Sequence, residues 1–138
     1  MALETINNMS VSTEINNVDL IESTSFHPLS DKWTLWVHLP HDTDWTMKSY
    51  KTIYSFQNME EAISVCEIIP EKMMQNCMMF LMRDGIMPLW EDKKNRNGGC
   101  FSYKVSNNSV PELWKTLFYN IVGETTTDNN EIIINGFT

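Results

Sequence analysis

The sequence predicts an α+β fold, an antiparallel sheet backed by helices. Short stretches in which polar and apolar residues partly alternate read as strands. Two segments behind capping signals repeat apolar residues at helical spacing. Strands and helices do not take turns as they would in βαβ units, which favours an antiparallel sheet.

Each element has its own signal. Lys32 to Leu39 reads as a strand, with Trp33, Leu35 and Val37 on one face and Trp36 and His38 on the other. Pro40 to Asp44 is a loop that ends at Trp45. "YKTIYSF" at 50–56 is a second strand. In "NMEEAISVCEII", Asn58 can cap, and Glu60 and Glu61 lie in the first turn, where the helix dipole favours negative charge. Met59, Ala62, Ile63, Cys66 and Ile69 recur at helical spacing, and Pro70 marks the end. "CMMFLMRDGIMPLW" predicts a strand, a turn at Asp84–Gly85 and a short extended piece, its methionines serving as adaptable core filler. "CFSYKVS" at 100–106 predicts another strand. Ser109 and Glu112 predict a capping box around Pro111, opening a helix to Val122 that stops at Gly123. Its stripe is Leu113, Trp114, Leu117, Phe118 and Ile121. "EIIINGF" predicts a closing strand. Residues 1–25, rich in Asn, Ser, Thr and Glu, read as a flexible N-terminal tail ahead of one domain at 26–138.

Composition narrows the function. A chain of 138 residues holds one domain, and 42% apolar with 20% charged residues suits a globular core. No run approaches the roughly 18 apolar residues of a membrane span, and no secretory signal is visible at the start. Cys66, Cys77 and Cys100 are odd in number without CxxC spacing, so the expectation is a reduced, cytoplasmic setting with neither zinc site nor disulfide framework. A net charge of −8 argues against a general nucleic-acid binder; an anionic ligand would need a local basic patch. His38 and His41, near Asp42 and Asp44, do not follow a known metal-ligand spacing. Cys100 has no identifiable base, and no Gly-rich phosphate loop is present. These residues give no support for an enzyme, a metal site or a cofactor, and none is expected.

Three of the five tryptophans fall within "WTLWVHLPHDTDW", residues 33–45. A core seldom needs so many, because indole is bulky and its N–H wants a partner. A fourth opens "WEDKKNRNGG", where Trp90 precedes two carboxylates, then Lys93, Lys94 and Arg96, then two glycines. By itself this loop reads either as a solvated turn whose Trp90 folds back onto the core, or as an aromatic face set beside an acid and a basic cluster.

"HPLSDKWTLW", Trp45, "DGIMPLWEDKKNRNGG" and "LWKTLFYNIVGE", taken together in this order and spacing over residues 27–124, resemble the eukaryotic translation initiation factor 4E family, the messenger RNA cap-binding proteins. The resemblance implies a curved sheet whose convex back is covered by helices and whose concave side holds the cap slot. It implies that Trp45 and Trp90 sandwich 7-methylguanine, that Glu91 reads its edge, and that Trp33, Trp36 and Trp114 are scaffold. Methylation at N7 puts a positive charge on guanine, so two indole faces would bind it by stacking and cation–π attraction. A carboxylate can accept from the ring N–H and the exocyclic amino group, and the Trp90 backbone N–H could serve the guanine carbonyl.

The resemblance is broken in places. Cys100 and Phe101 stand where the family has an arginine and a tryptophan after the double glycine, so Lys93, Lys94 and Arg96 are the candidate phosphate contacts. The match runs out near Thr138, and the family's last strands and final helix have no counterpart in the sequence. On the dorsal side, where the family receives YxxxxLΦ peptides of a scaffold subunit or repressor, His27 and Pro28 remain. Ile63 replaces a tryptophan there, and Lys115 and Thr116 replace a Leu-Glu pair. The expected partners are therefore capped messenger RNA and a divergent scaffold subunit. The rival reading is an interaction module or translational repressor that keeps the fold and has lost cap binding.

Overall fold

The computed structural model describes residues 26–129 and 131–138. The tail expected at 1–25 lies outside them. The elements run β1 (Pro28–His38), β2 (Tyr50–Asn58), α1 (Met59–Ile68), α2 (Glu71–Asn76), β3 (Met78–Arg83), α3 (Lys93–Arg96), a 3₁₀ turn (Asn107–Ser109), α4 (Val110–Val122) and β4 (Gly136–Phe137). The strands form one antiparallel sheet in the order β2-β1-β3-β4, curved and open as expected.

Alternation along β1 assigns the two faces. Trp33, Leu35 and Val37 are buried; Leu35 pairs with Leu81 and Val37 with Met79. They pack beneath Ala62, Val65 and Cys66 of α1 and Trp114, Phe118 and Ile121 of α4, so both long helices cover one side of the sheet. Trp36 and His38 occupy the opposite side, with Phe80 paired to Trp36 and the Tyr50 ring between His38 and Phe80. Between β1 and β2, Leu35 faces Tyr54 and Trp36 faces Thr52, which leaves Ile53 as an extra residue. Such a bulge bends the strand locally.

The first helix forms as its sequence demands. Asn58 caps it by accepting from the Glu61 N–H at 2.8 Å, while the Glu61 carboxylate reaches the Gln57 N–H. Pro70 follows the end of α1 but also opens α2, a short helix that the sequence did not announce.

Three expectations are corrected. Residues 100–106 form no strand; among the described residues no strand lies beside them to complete a ladder, and Phe101 and Tyr103 are 93% and 82% exposed. Ser109 does not cap α4: its backbone is already in the right-handed helical region at the end of the 3₁₀ turn, and its hydroxyl pairs with that of Ser106. Gly123 ends α4 as expected, and the left-handed conformation follows it at Glu124. A Cβ at Gly123 would come within 2.9 Å of the Tyr119 carbonyl, so the glycine serves close approach. Of "EIIINGF" only Gly136 and Phe137 join the ladder; Gly136 lies so close to β3 that a Cβ there would be 2.1 Å from the Leu81 carbonyl oxygen.

Arg83, at the end of β3, gathers several segments. Its guanidinium lies 4.6 Å from the Trp33 ring centroid, bridges Asp31 and Glu124 at 3.1 and 2.8 Å, and donates twice to the Ile134 carbonyl.

Candidate functional site

The loop after β1 is built by aspartates. Asp42 accepts from the Asp44 N–H, and Asp44 accepts from both the N–H and the hydroxyl of Thr46. These bonds hold the Asp44 carboxyl below its ordinary value, the Thr46 backbone N–H contributing most. Trp45 is thereby fixed at the loop's end, 55% exposed. One indole face lies flat on the His38 imidazole. His38 Nε2 sits 2.9 Å from the Asp44 carbonyl; a carbonyl only accepts, so Nε2 carries the proton. The Tyr50 ring meets His38 edge-on at 5.1 Å and Phe80 at 5.4 Å.

The second loop leaves β3 through a turn in which Gly85 takes φ +71°, a left-handed value that costs glycine nothing. Buried Ile86 and Pro88 anchor it. Asp92 organises the rest of the loop: one carboxylate oxygen accepts from the Met87 N–H and the other from the Lys94 N–H, both at 2.9 Å, capping α3. These two bonds lower the Asp92 carboxyl from its ordinary value. The Asn95 amide donates to the Met87 and Leu89 carbonyls, and its oxygen accepts from Asn135. Trp90 and Glu91 stand at the tip, Trp90 62% exposed. Among the described residues the Glu91 carboxylate has no hydrogen-bond or ion-pair partner.

Glu91 lies near Tyr50, the first residue of β2. Burial raises the Tyr50 hydroxyl above its ordinary value, and the nearby Glu91 charge raises it further. Tyr50 touches His38, and His38 carries Trp45. Lys93, Lys94 and Arg96 form exposed α3, and none is in a salt bridge among the described residues. The remaining tryptophans are structural: Trp33 and Trp114 are buried and Trp36 is half-buried.

The dorsal residues lie on the helix side. His27 pairs with Glu60, Nδ1 to Oε1 at 2.6 Å, and this contact lowers the Glu60 carboxyl. Pro28 starts β1, and Ile63 is exposed on α1. Beside them an apolar groove of about 430 Å³ is lined by Phe26, Ile53, Tyr54, Val65, Ile68 and Ile69, with Glu60 and Glu61 at its rim. Lys115 is engaged by Glu67, which also accepts from the Tyr119 hydroxyl.

The family model for eukaryotic initiation factor 4E matches residues 28–138. The chain belongs to the eukaryotic initiation factor 4E family. It is 34% identical to eukaryotic translation initiation factor 4E of Eremothecium gossypii over 116 residues, which are 80% of this chain and 54% of that one. Among solved structures it resembles Ascaris suum eIF4E-3 in complex with the m2,2,7G cap, with a TM-score of 0.71 and 27% identity over 81% of this chain and 65% of that one. It also resembles C. elegans eIF4E-3 in complex with the 4E-binding protein Mextli and a cap analog, with a TM-score of 0.66 and 26% identity over 75% and 61%. The chain thus spans a little over half the length of the initiation factor 4E relatives it matches.

Sequence reasoning located the two exposed tryptophans of this family member and its two adjacent carboxylates. It missed His38 as the support of Trp45, although the strand face that carries it was legible. It also missed Asn95 and Asn135, for which an asparagine in a polar loop gives no local signal.

Proposed function

We propose that residues 26–138 form a cap-binding unit acting in cytoplasmic translation initiation. Trp45 and Trp90 would stack on the two faces of the cationic 7-methylguanine, and Glu91 would accept from its ring N–H and exocyclic amino group. The Trp90 backbone N–H would serve the guanine carbonyl. One observation carries the assignment of the acid: both oxygens of Asp92 are taken by backbone N–H groups, whereas the Glu91 carboxylate has no partner among the described residues. A charge-assisted pair of bonds to a desolvated carboxylate is worth roughly 1.5–3 kcal/mol each. Adenine lacks the donor pattern and unmethylated guanine lacks the charge, so base and methylation are read by different groups. The cations of α3, in no salt bridge among the described residues, are suited to the cap phosphates.

The dorsal groove supports a protein partner as well. Its apolar lining suits an amphipathic helix from a scaffold subunit or binding protein. Titration of the chain with 7-methyl-GTP, followed by tryptophan fluorescence, tests the proposal. Saturable quenching that GTP does not reproduce is expected. The absence of any quenching would leave the rival reading, an interaction module without cap affinity.

A further inference from the structure

We infer that Asn135 is a positioning residue for the Trp90–Glu91 loop, acting from the far end of the described chain. The inference rests on the cap-binding reading for its effect on affinity, but not for its effect on the loop. Asn135 is held from one side: its carbonyl accepts from the Arg83 N–H at 2.8 Å, and Arg83 donates twice to the carbonyl of neighbouring Ile134. Gly136, the next residue, lies tightly against β3. From this anchored position the Asn135 amide nitrogen donates to the Lys94 carbonyl at 3.2 Å and to the Asn95 side-chain oxygen at 3.1 Å. Accepting that bond leaves the Asn95 amide nitrogen to face the Met87 and Leu89 carbonyls, which bracket the approach to Trp90.

The loop is therefore braced twice. Asp92 closes it from within, and Asn135 fastens it to the sheet across a sequence separation of 41 residues. A loop that must hold a carboxylate against two donors gains from such bracing, because misplacement of a few tenths of an ångström weakens both bonds. Asn135 makes no hydrogen bond to Trp45, Trp90 or Glu91; it acts through Asn95 and the Lys94 backbone.

Two measurements test this on the chain as it stands. Without ligand, Asn135→Ala is expected to speed hydrogen exchange at the amides of Met87, Lys94, Asn95 and Arg96, and to leave α1 and α4 unchanged. With 7-methyl-GTP, affinity is expected to fall about fivefold, the scale of one net hydrogen bond. In a Glu91→Gln background the same substitution should cost less than fivefold, since only Trp90 is then left for the loop to position. Asn135→Asp, equal in size, turns a carboxylate toward the same two oxygens and should loosen the loop at least as much as Asn135→Ala. Unchanged exchange in the loop would overturn the inference whether or not the chain binds caps. So would an undiminished fivefold loss in the Glu91→Gln background, which would mean that Asn135 acts by another route. Failure of the parent chain to bind 7-methyl-GTP would count against the proposed function, and the exchange result alone would then decide the brace.

Discussion

The His38 imidazole lies parallel to the Trp45 indole, ring centroids 4.1 Å apart and planes 3° from coincident. One face of this half-exposed tryptophan is thus occupied by protein, and in the proposed sandwich the other would meet the base. His38→Ala should remove the support and weaken 7-methyl-GTP binding by about 0.5–1.5 kcal/mol, the usual worth of an aromatic pair. His38→Phe, which keeps a ring against the indole, should recover most of it. Equal affinities for parent and His38→Ala in fluorescence titrations would show that the stack is incidental.

Trp45→Ala and Trp90→Ala should each cost about 1–3 kcal/mol of cap affinity, the range for a lost stacking face. Both side chains are largely exposed, so melting curves should stay close to those of the parent chain. Trp33→Ala, in the core, should instead destabilise the fold by about 3–5 kcal/mol. A pair of site variants that bind as well as the parent would end the sandwich reading.

The two carboxylates of the loop should separate cleanly. Glu91→Gln presents a donor to donors, and affinity should drop by at least about tenfold, as for one charge-assisted bond, with the loop intact. Asp92→Asn should loosen the loop itself, seen as faster hydrogen exchange at Met87 and Lys94. Exchange in Glu91→Gln as fast as in Asp92→Asn would contradict this division of labour.

Acid should reach the same loop. The Asp92 carboxyl titrates lower in the folded chain than its ordinary value of about 3.9. A depressed carboxylate stabilises the fold above the unfolded value, and that contribution is lost as pH falls through the folded one. Loop exchange, corrected for its intrinsic pH dependence, should therefore rise below about pH 4 in the parent and show no such step in Asp92→Asn.

On the dorsal side, Ile63 offers less surface than an indole, and Lys115 is engaged by Glu67. A standard YxxxxLΦ peptide should bind weakly, and Ile63→Trp should tighten it, since interface hot spots are usually aromatic or Arg anchors worth about 2 kcal/mol or more. Micromolar binding by the parent, unchanged in the variant, would show that this position is not part of the contact.

Local patterns carried much of the fold. The alternation around Trp33, the Asn58 cap and the Trp114–Phe118–Ile121 stripe were legible because each depends on neighbours within a few residues. The short α2 was not, since six methionine-rich residues cannot display a helical period. Residues 100–106 alternate like a strand, but a strand exists only where another chain segment completes its hydrogen bonds, and composition is blind to that. The site divided along the same line. Trp90 and Glu91 were singled out through the family resemblance, whereas the contacts of His38 and Asn135 span 7 and more than 40 positions.

The tight seating of Gly136 has a consequence for how far this chain can drift in sequence. The atoms that a Cβ would strike belong to the backbone of Leu81 and Met82 as well as to the Met82 sulfur, and backbone cannot rotate aside. Under random mutagenesis, position 136 should tolerate almost nothing and fail by misfolding. Its neighbour Asn135 should accept many residues without loss of expression, yet fail selectively when the library is sorted for ligand. Two adjacent codons would thus sit under different kinds of selection, one for having a structure and the other for aiming it.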